Sequence, residues 1–285
     1  MTVRRQLVPV LIAALVAALS LLPLIAAPAT AAAMPGYIRL AHLSPDTPEV
    51  DVWVTSFRGN KYSTMLPSVG YGALSDYQRV SPGHYTVAMR APGASEKSAP
   101  ILSTNLEVAS GEAYTVAGVD RYANISLKVL KDDLSPPDPG KARMRVVQAS
   151  SVAPVVDVTT TTGQTIAENV SFPSTTDYAE VPAQQWTLEA TPQSTGVKPA
   201  EEAVQLDAGS IYTVLVLDKG KKAVQLDTHT DAAGSATTPV GSVDTGLGGM
   251  APADGSRLAQ GALPVAVLAA LLLTGLAWTR RRARV

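Results

Sequence analysis

Apolar and polar residues alternate in short segments through the middle of the chain, for example over residues 50–54, 84–89 and 106–108. Clusters of Pro, Gly and Ser, such as residues 81–83 and 91–93, separate these segments. Alternation with a period of two residues indicates β-strands, and the intervening clusters indicate turns. Short strands without intervening amphipathic helices predict an all-β protein made of antiparallel β-sandwiches, either immunoglobulin-like or transthyretin-like.

The strand pattern occurs twice. Residues 39–44 are repeated in similar form 106 positions later, and the Val-Asp-Val motifs that follow them keep the same spacing. We therefore predict two tandem modules, at residues 34–131 and 142–228. The prolines of the linker between them, residues 132–141, should keep it extended and hold the modules apart.

The amino-terminal end has the features of a secretory signal. Residues 1–33 contain two arginines, an apolar run and a stretch of small residues, in that order. This arrangement predicts a cleaved signal peptide, with the cut after Ala33 or Ala31. An uncleaved signal anchor is the alternative, and either reading exports the chain that follows.

The carboxyl-terminal end predicts a membrane anchor. Residues 229–260 are rich in Thr, Ala, Gly, Ser and Pro and predict a disordered stalk. Residues 261–279 are uncharged and, as a helix, would span about 28 Å of bilayer. The basic tail at 280–285 should stay in the cytoplasm, which leaves the modules outside. Sortase attachment to the cell wall is the alternative, but Leu263-Pro264 is not followed by the required residues.

Composition and charge exclude several functions. The chain has 285 residues and no cysteine, which excludes disulfides, thiolate metal sites and a cysteine nucleophile. Residues 34–279 hold 17 basic and 24 acidic side chains, so this part is mildly acidic. Nucleic acid is therefore not an expected partner.

The first module resembles a known family. Its segments at residues 38–54, 74–77, 82–85 and 111–116 are similar to those of the DUF4397 family of exported bacterial proteins, including the His-x-Ser-Pro-Asp motif. The second module has Gln148 in place of the histidine and resembles a diverged second copy. The resemblance implies fold and placement outside the cell, and it supplies no catalytic residues because the function of the family is not established.

The loop after the first strand is the best candidate for a metal site. His42, Asp46, Glu49 and Asp51 offer one imidazole and three carboxylates, which suit a divalent cation such as calcium. The alternative, which we favour, is that these polar side chains accept local backbone N–H groups in a turn. Asp157 supports the alternative, because it recurs in the second module without the other three ligands.

Aromatic side chains are concentrated in the first module. Trp53, Tyr77 and Tyr85 could form a platform for a glycan, although ordinary packing is the interpretation that we favour. No other cofactor is expected. The three histidines lie in no nucleophile motif, so we expect no enzyme activity. A hydrolase centred on the loop of His42 is the third choice of function, after the two given below.

Two further pairings are predicted. Arg39 and Arg145 lie at equivalent positions of the two modules, and each could pair with the aspartate of its own Val-Asp-Val motif. Tyr114 and Tyr212 each follow a turn glycine by three residues. Their hydroxyls should tie down the preceding turn.

The sequence thus predicts a non-catalytic module at the cell surface, held by a single membrane helix, which binds an envelope glycan or a protein. The alternative is a structural spacer that projects from the surface without a specific ligand.

Overall fold

A computed structural model describes residues 33–57, 63–234 and 239–241. Apart from Ala33, the predicted signal peptide lies outside the described residues, as do the predicted membrane helix, the basic tail and most of the predicted stalk. Within the described residues, no helix has the length and apolar character needed to cross a membrane.

The described chain consists of β-strands, turns and one short 3-10 turn at Tyr122–Asn124. The strands of the first module are β1 (Gly36–Leu43), β2 (Val50–Ser56), β3 (Ser63–Val69), β4 (Gln78–Val80), β5 (Gly83–Arg90), β6 (Leu102–Val108), β7 (Ala113–Val119) and β8 (Ser126–Asp132). Those of the second module are β9 (Lys141–Gln148), β10 (Val155–Thr160), β11 (Thr165–Ser171), β12 (Ser174–Thr175), β13 (Ala179–Pro182), β14 (Gln185–Pro192), β15 (Ala200–Gln205), β16 (Ile211–Asp218) and β17 (Val224–Ala232).

Each module is a sandwich of two sheets, so the all-β prediction is confirmed. In the first module the sheet β4-β1-β7-β8 faces the sheet β3-β2-β5-β6. In the second, β12-β9-β16-β17, with β13 also on β9, faces β11-β10-β14-β15. The second module therefore repeats the strand order of the first.

The sheets are not purely antiparallel, which corrects the prediction. β1 runs parallel to β7, and β9 runs parallel to β16. Parallel neighbours need a long connection, and here the intervening strands of the module supply it. Periodicity within a strand gives no information on the direction of its neighbour, so the sequence pattern could not reveal this pairing.

Valines of β2 illustrate how the sandwich cores form. Val50, Val52 and Val54 point inwards and are at most 5% exposed, because alternate side chains of a strand face the same side. They pack against inward residues of the opposite sheet such as Ile38 and Leu40. The second module has equivalent cores between its own two sheets.

A further apolar core lies between the modules, which we call the inter-module core. It consists of Ala41, Leu43, Ala117 and Val119 from the first module and Val147, Ala149, Leu215 and Leu217 from the second. The four sheets therefore stack in four layers, and the two central sheets are buried on both faces. The modules pack together, so the prediction that the linker holds them apart is wrong.

Two predicted boundaries also change. Asp132 ends β8 and Lys141 begins β9, so the connection between the modules is shorter than predicted. β17 reaches Ala232, because it pairs with β16 along its whole length, whereas the stalk was expected to begin at residue 229. Beyond it, the N–H group of Val240 donates to the carbonyl oxygen of Asp231 at 3.0 Å.

The predicted tyrosine ties are confirmed. The hydroxyl of Tyr212 accepts the N–H group of Asp207 at 2.9 Å, and the hydroxyl of Tyr114 accepts that of Ala109 at 3.4 Å. Each tyrosine thereby fastens the turn that precedes its own strand.

Candidate functional site

His42 lies at the end of β1 and points into the core of the first module. Its Nε2 atom is 3.3 Å from the carbonyl oxygen of Pro48, in the loop that follows the strand. Gln148 takes the equivalent place in the second module, where its Nε2 donates to the carbonyl oxygen of Ala153 at 2.6 Å. Burial lowers the pKa of His42, which favours the neutral ring. The histidine therefore supports its loop, as the glutamine does.

Asp51 is buried and binds backbone groups of two neighbouring segments. Its Oδ1 accepts the N–H group of Ser68 at 2.9 Å, and its Oδ2 accepts that of Gly93 at 2.7 Å. Ser68 has a φ of 50° and lies where the pairing of β2 and β3 shifts register. In the second module Asp157 accepts the N–H group of Asn169, whose φ is 53°. Each aspartate thus fixes a bulge in the neighbouring strand.

The four candidate ligands of a cation site are not brought together in the described residues. Asp46 is exposed, and its Oδ1 accepts the N–H group of Tyr122 at 2.6 Å. His42 faces the core while Asp51 lies on the outer face of β2, so strand alternation separates them. Within the described residues, no group of three or more His, Asp or Glu side chains is placed to hold a metal ion. The candidates His42, Asp46, Glu49 and Asp51 therefore do not converge.

Two of the three aromatic candidates are buried. Tyr77 is 1% exposed and donates its hydroxyl to Asp132 at 2.7 Å. Tyr85 is 3% exposed and donates to the carbonyl oxygen of Ser81 at 2.7 Å. Neither tyrosine can present a ring to a glycan. Trp53 is the aromatic candidate that can still contact a ligand, because it points away from the core on the outer face of β2.

The surroundings of Trp53 form a mixed apolar and polar surface, which we call the Trp53 face. It consists of Trp53, Met65 and Ser103, which lie in register with the buried Ala88 across the outer face of β3-β2-β5-β6. Met65 is 40% exposed, and Trp53 is partly exposed beside it. The second module has Thr159 at the position of Trp53, so its outer face lacks the aromatic ring.

A group of polar side chains between the modules was not foreseen. We call it the crosswise network, and it consists of Arg39, Tyr77, Thr115 and Asp132 from the first module and Arg145, Tyr178, Thr213 and Asp231 from the second. Each member has its counterpart at the equivalent position of the other module. Seven of the eight side chains are at most 4% exposed, and Tyr178 is partly buried.

The charged pairs of the network are exchanged between modules. Nη1 of Arg39 donates to Oδ1 of Asp231 at 2.6 Å, from the first module to the second. Nη2 of Arg145 lies 2.8 Å from Oδ1 of Asp132, from the second module to the first. Arg39 and Arg145 do not pair with the aspartates of their own motifs, so that prediction is wrong. Those aspartates lie on the outer sheets, whereas the arginines face the inter-module core.

Hydroxyl groups complete the network. Thr115 donates to Asp132 at 2.5 Å, and Thr213 donates to Asp231 at 2.6 Å. Tyr178 donates to the same oxygen of Asp231 at 2.6 Å. The guanidinium groups also lie over tyrosine rings, with Arg39 4.5 Å from the centre of the ring of Tyr77. The two buried carboxylates are thus surrounded by donors.

The network keeps its charges despite burial. Burial opposes the charge on Arg39, yet Asp231, Tyr77 and Asp132 together raise the pKa of Arg39 above its ordinary value. Burial raises the pKa of Tyr77, and the charge of Asp132 adds to this effect, so the phenol stays protonated and donates. Two arginines and two aspartates balance, which makes the cluster neutral as a whole.

Comparison with solved structures gives only distant likenesses. The C-terminal domain of AlgF from P. aeruginosa is 18% identical, with a TM-score of 0.23, and the match covers 33% of this chain and 99% of that one. The Bacillus anthracis TIE protein is 14% identical, with a TM-score of 0.22 and coverage of 65% and 34%. CBMbc, of family CBM26, from Eubacterium rectale Amy13K is 9% identical, with a TM-score of 0.22 and coverage of 70% and 99%.

The sequence matches one family model but no individual curated protein. The family model of DUF4397, a domain of unknown function, matches residues 36–159. This segment covers the first module and the start of the second, so the second module as a further copy of the family stays a prediction. Residues 36–159 are thus similar to the DUF4397 family, as the motifs of the first module indicate.

Proposed function

We propose that the chain is an exported, non-catalytic binding module at the cell surface, held there by the predicted membrane helix at residues 261–279. It contacts an envelope glycan or a protein through the Trp53 face. The observation that carries this proposal is the position of Trp53, which is partly exposed beside the exposed Met65 on an outer sheet. Tryptophan and methionine are typical of binding surfaces, where a large ring supplies contact area at low entropic cost.

Enzyme activity has less support. His42, Asp51 and the charged side chains of the crosswise network already bind structural partners within the protein. A general base must reach the proton that it removes from a substrate, and these groups are all buried. Substitution of His42 should therefore affect stability rather than turnover.

A structural spacer is the second candidate, and the packing of the modules is the observation that favours it. Two sandwiches joined by a buried interface form a stiff body, which is useful for projecting something from a surface. A spacer would tolerate changes on the Trp53 face. It would fail when the predicted stalk, residues 229–260, is shortened beyond residue 241.

Binding to isolated envelopes tests the proposal. A labelled fragment of residues 34–241, which contains all the described strands, is titrated onto cell envelopes of the producing bacterium. We expect saturable binding that Trp53→Ala reduces at least tenfold and that Thr159→Ala, the matched control in the second module, leaves unchanged. Equal binding by the wild type and Trp53→Ala would contradict the role of the Trp53 face.

A further inference from the structure

The two modules face each other as the halves of a symmetric dimer do. Arg39 of the first module pairs with Asp231 of the second, and Arg145 pairs with Asp132 in return. Such reciprocal contacts define an interface with approximate twofold symmetry. The interface therefore has two equivalent ends, one on each side of the crosswise network, and their packing can be compared residue by residue.

One end of the interface is filled by large side chains. Leu215 and Leu217 of β16 pack there against Leu74 and Tyr71 of the first module. Tyr71 also donates its hydroxyl to the carbonyl oxygen of Ala149 at 3.0 Å. The loop of the first module thus closes this end against the second.

The other end has small side chains at the equivalent positions. Ala117 and Val119 of β7 correspond to Leu215 and Leu217, and Thr175 corresponds to Leu74. A cavity of about 310 Å³ remains between the modules at this end. The difference between the two repeats therefore accounts for the cavity, which we call the inter-module cavity. Its volume is at the lower end of the range of small-molecule sites, about 300–1,000 Å³.

The lining of the cavity indicates the chemistry of a ligand. Its walls are mainly apolar, with Leu43, Leu130 and Val147 among them. Lys128 is the one charged residue in the described lining, and its side chain is exposed. Among the described residues, no carboxylate lies within ion-pair distance of this lysine. Its ammonium is therefore available to a single negative charge at the edge of an apolar cavity.

We propose that the inter-module cavity binds an aliphatic carboxylate, with the alkyl chain between the two modules and the carboxylate beside Lys128. The hydroxyls of Ser174 and Thr175, which also line the cavity, add possible donors to the carboxylate. Apolar walls with a few polar groups at one side are typical of sites for small amphipathic molecules. This proposal does not rest on the Trp53 face, which lies on an outer sheet of the first module.

Calorimetric titration of the 34–241 fragment with decanoate tests the proposal. We expect saturable binding at one site per chain. The double variant Ala117→Leu/Thr175→Leu copies the large side chains of the filled end into the cavity, so it should lose binding while its melting temperature stays equal or rises. Lys128→Gln, an exposed change, should weaken decanoate several-fold and leave decan-1-ol unaffected.

Each of these three measurements has an outcome that would overturn the proposal. No saturable binding of decanoate to the wild-type fragment would exclude the site. Undiminished binding to a folded Ala117→Leu/Thr175→Leu variant would place the ligand elsewhere. Equal affinity of the wild type and Lys128→Gln for decanoate would exclude the carboxylate as the group that is recognised. Loss of envelope binding by Trp53→Ala bears on none of these results, so the two proposals fail independently.

Discussion

The guanidinium of Arg39 and the carboxylate of Asp231 are 2.6 Å apart and almost fully shielded from water. Removing two charges from water costs several kcal/mol per ion, and their attraction offsets this only when the remaining donors and acceptors are also bound. Thr213 and Tyr178 bind the carboxylate, and Thr115 binds the guanidinium. The pair is therefore more important for the orientation of the modules than for the net free energy of folding.

Removing one charge of this pair should be strongly destabilising. Asp231→Asn removes the nearest carboxylate of the buried Arg39 and leaves Asp132 at 3.9 Å, and breaking a buried pair costs about 3–5 kcal/mol. We expect a loss of this size in the free energy of unfolding, measured by denaturant titration. Lys131→Gln is the control, because Lys131 and Glu112 form an exposed pair whose loss should leave the free energy of unfolding nearly unchanged. Similar losses for the two variants would contradict the account of the crosswise network.

His42 should make stability depend on pH. Burial lowers its pKa in the folded protein below the ordinary value of 6.5, so below that pH the unfolded chain binds a proton that the folded protein does not. Protonation of this histidine therefore favours the unfolded chain, and the free energy of unfolding should fall as the pH drops below 6.5. We expect His42→Gln to remove this part of the pH dependence and to fold normally, as Gln148 does in its place. The same pH profile in both proteins would contradict this role.

At the scale of single residues, the sequence indicated which arginines have a structural role but not which aspartates they pair with. Arg39 and Arg145 stand out as charges within apolar strands, and their repetition signalled a structural role. The partner of Arg39 is Asp231, which lies 192 residues further along the chain, and the partner of Arg145 is Asp132, at the end of the last strand of the other module. Only the packing of one module on the other brings them together, and no local pattern encodes that packing.

At the scale of elements, the central strands differ from the outer ones in pattern. β16 is buried at seven successive positions, from Ile211 to Leu217, because both of its faces are covered. Strands covered on both faces have near-continuous apolar runs instead of alternation. This run was the signal in the sequence that the second module is covered on a further side. Alternation elsewhere predicted the outer strands and the sandwich class correctly.

Asp51 should stabilise the fold by binding backbone groups of two neighbouring segments. Asp51→Ala leaves the N–H groups of Ser68 and Gly93 without their acceptor, and hydrogen bonds to a charged group contribute about 1.5–3 kcal/mol each. We expect a loss of at least about 1.5 kcal/mol in the free energy of unfolding and no effect of calcium on the melting temperature of the wild type. A rise in melting temperature with calcium that Asp51→Ala abolishes would restore the cation site at this loop.

At the scale of the whole molecule, the inter-module core and the crosswise network join two sandwiches into one body. Apolar side chains exclude water around the network, and the network allows only one register of the modules, because unpaired charges would result from any other. Sequence analysis predicted the two modules but not their packing. A proline-rich connection is compatible with separated or packed modules, and the interface residues are adjacent only after both modules have folded.

The distance between the outer sheets tests this central claim most directly. The chain has no cysteine, so Glu107→Cys on β6 and Glu201→Cys on β15 place spin labels at two unique, exposed sites of the 34–241 fragment. Pulsed electron paramagnetic resonance should give one narrow distance distribution, which broadens when Arg39→Met and Asp231→Asn are introduced together. A broad distribution in the protein with an intact network, unchanged by the two substitutions, would contradict a fixed arrangement of the modules.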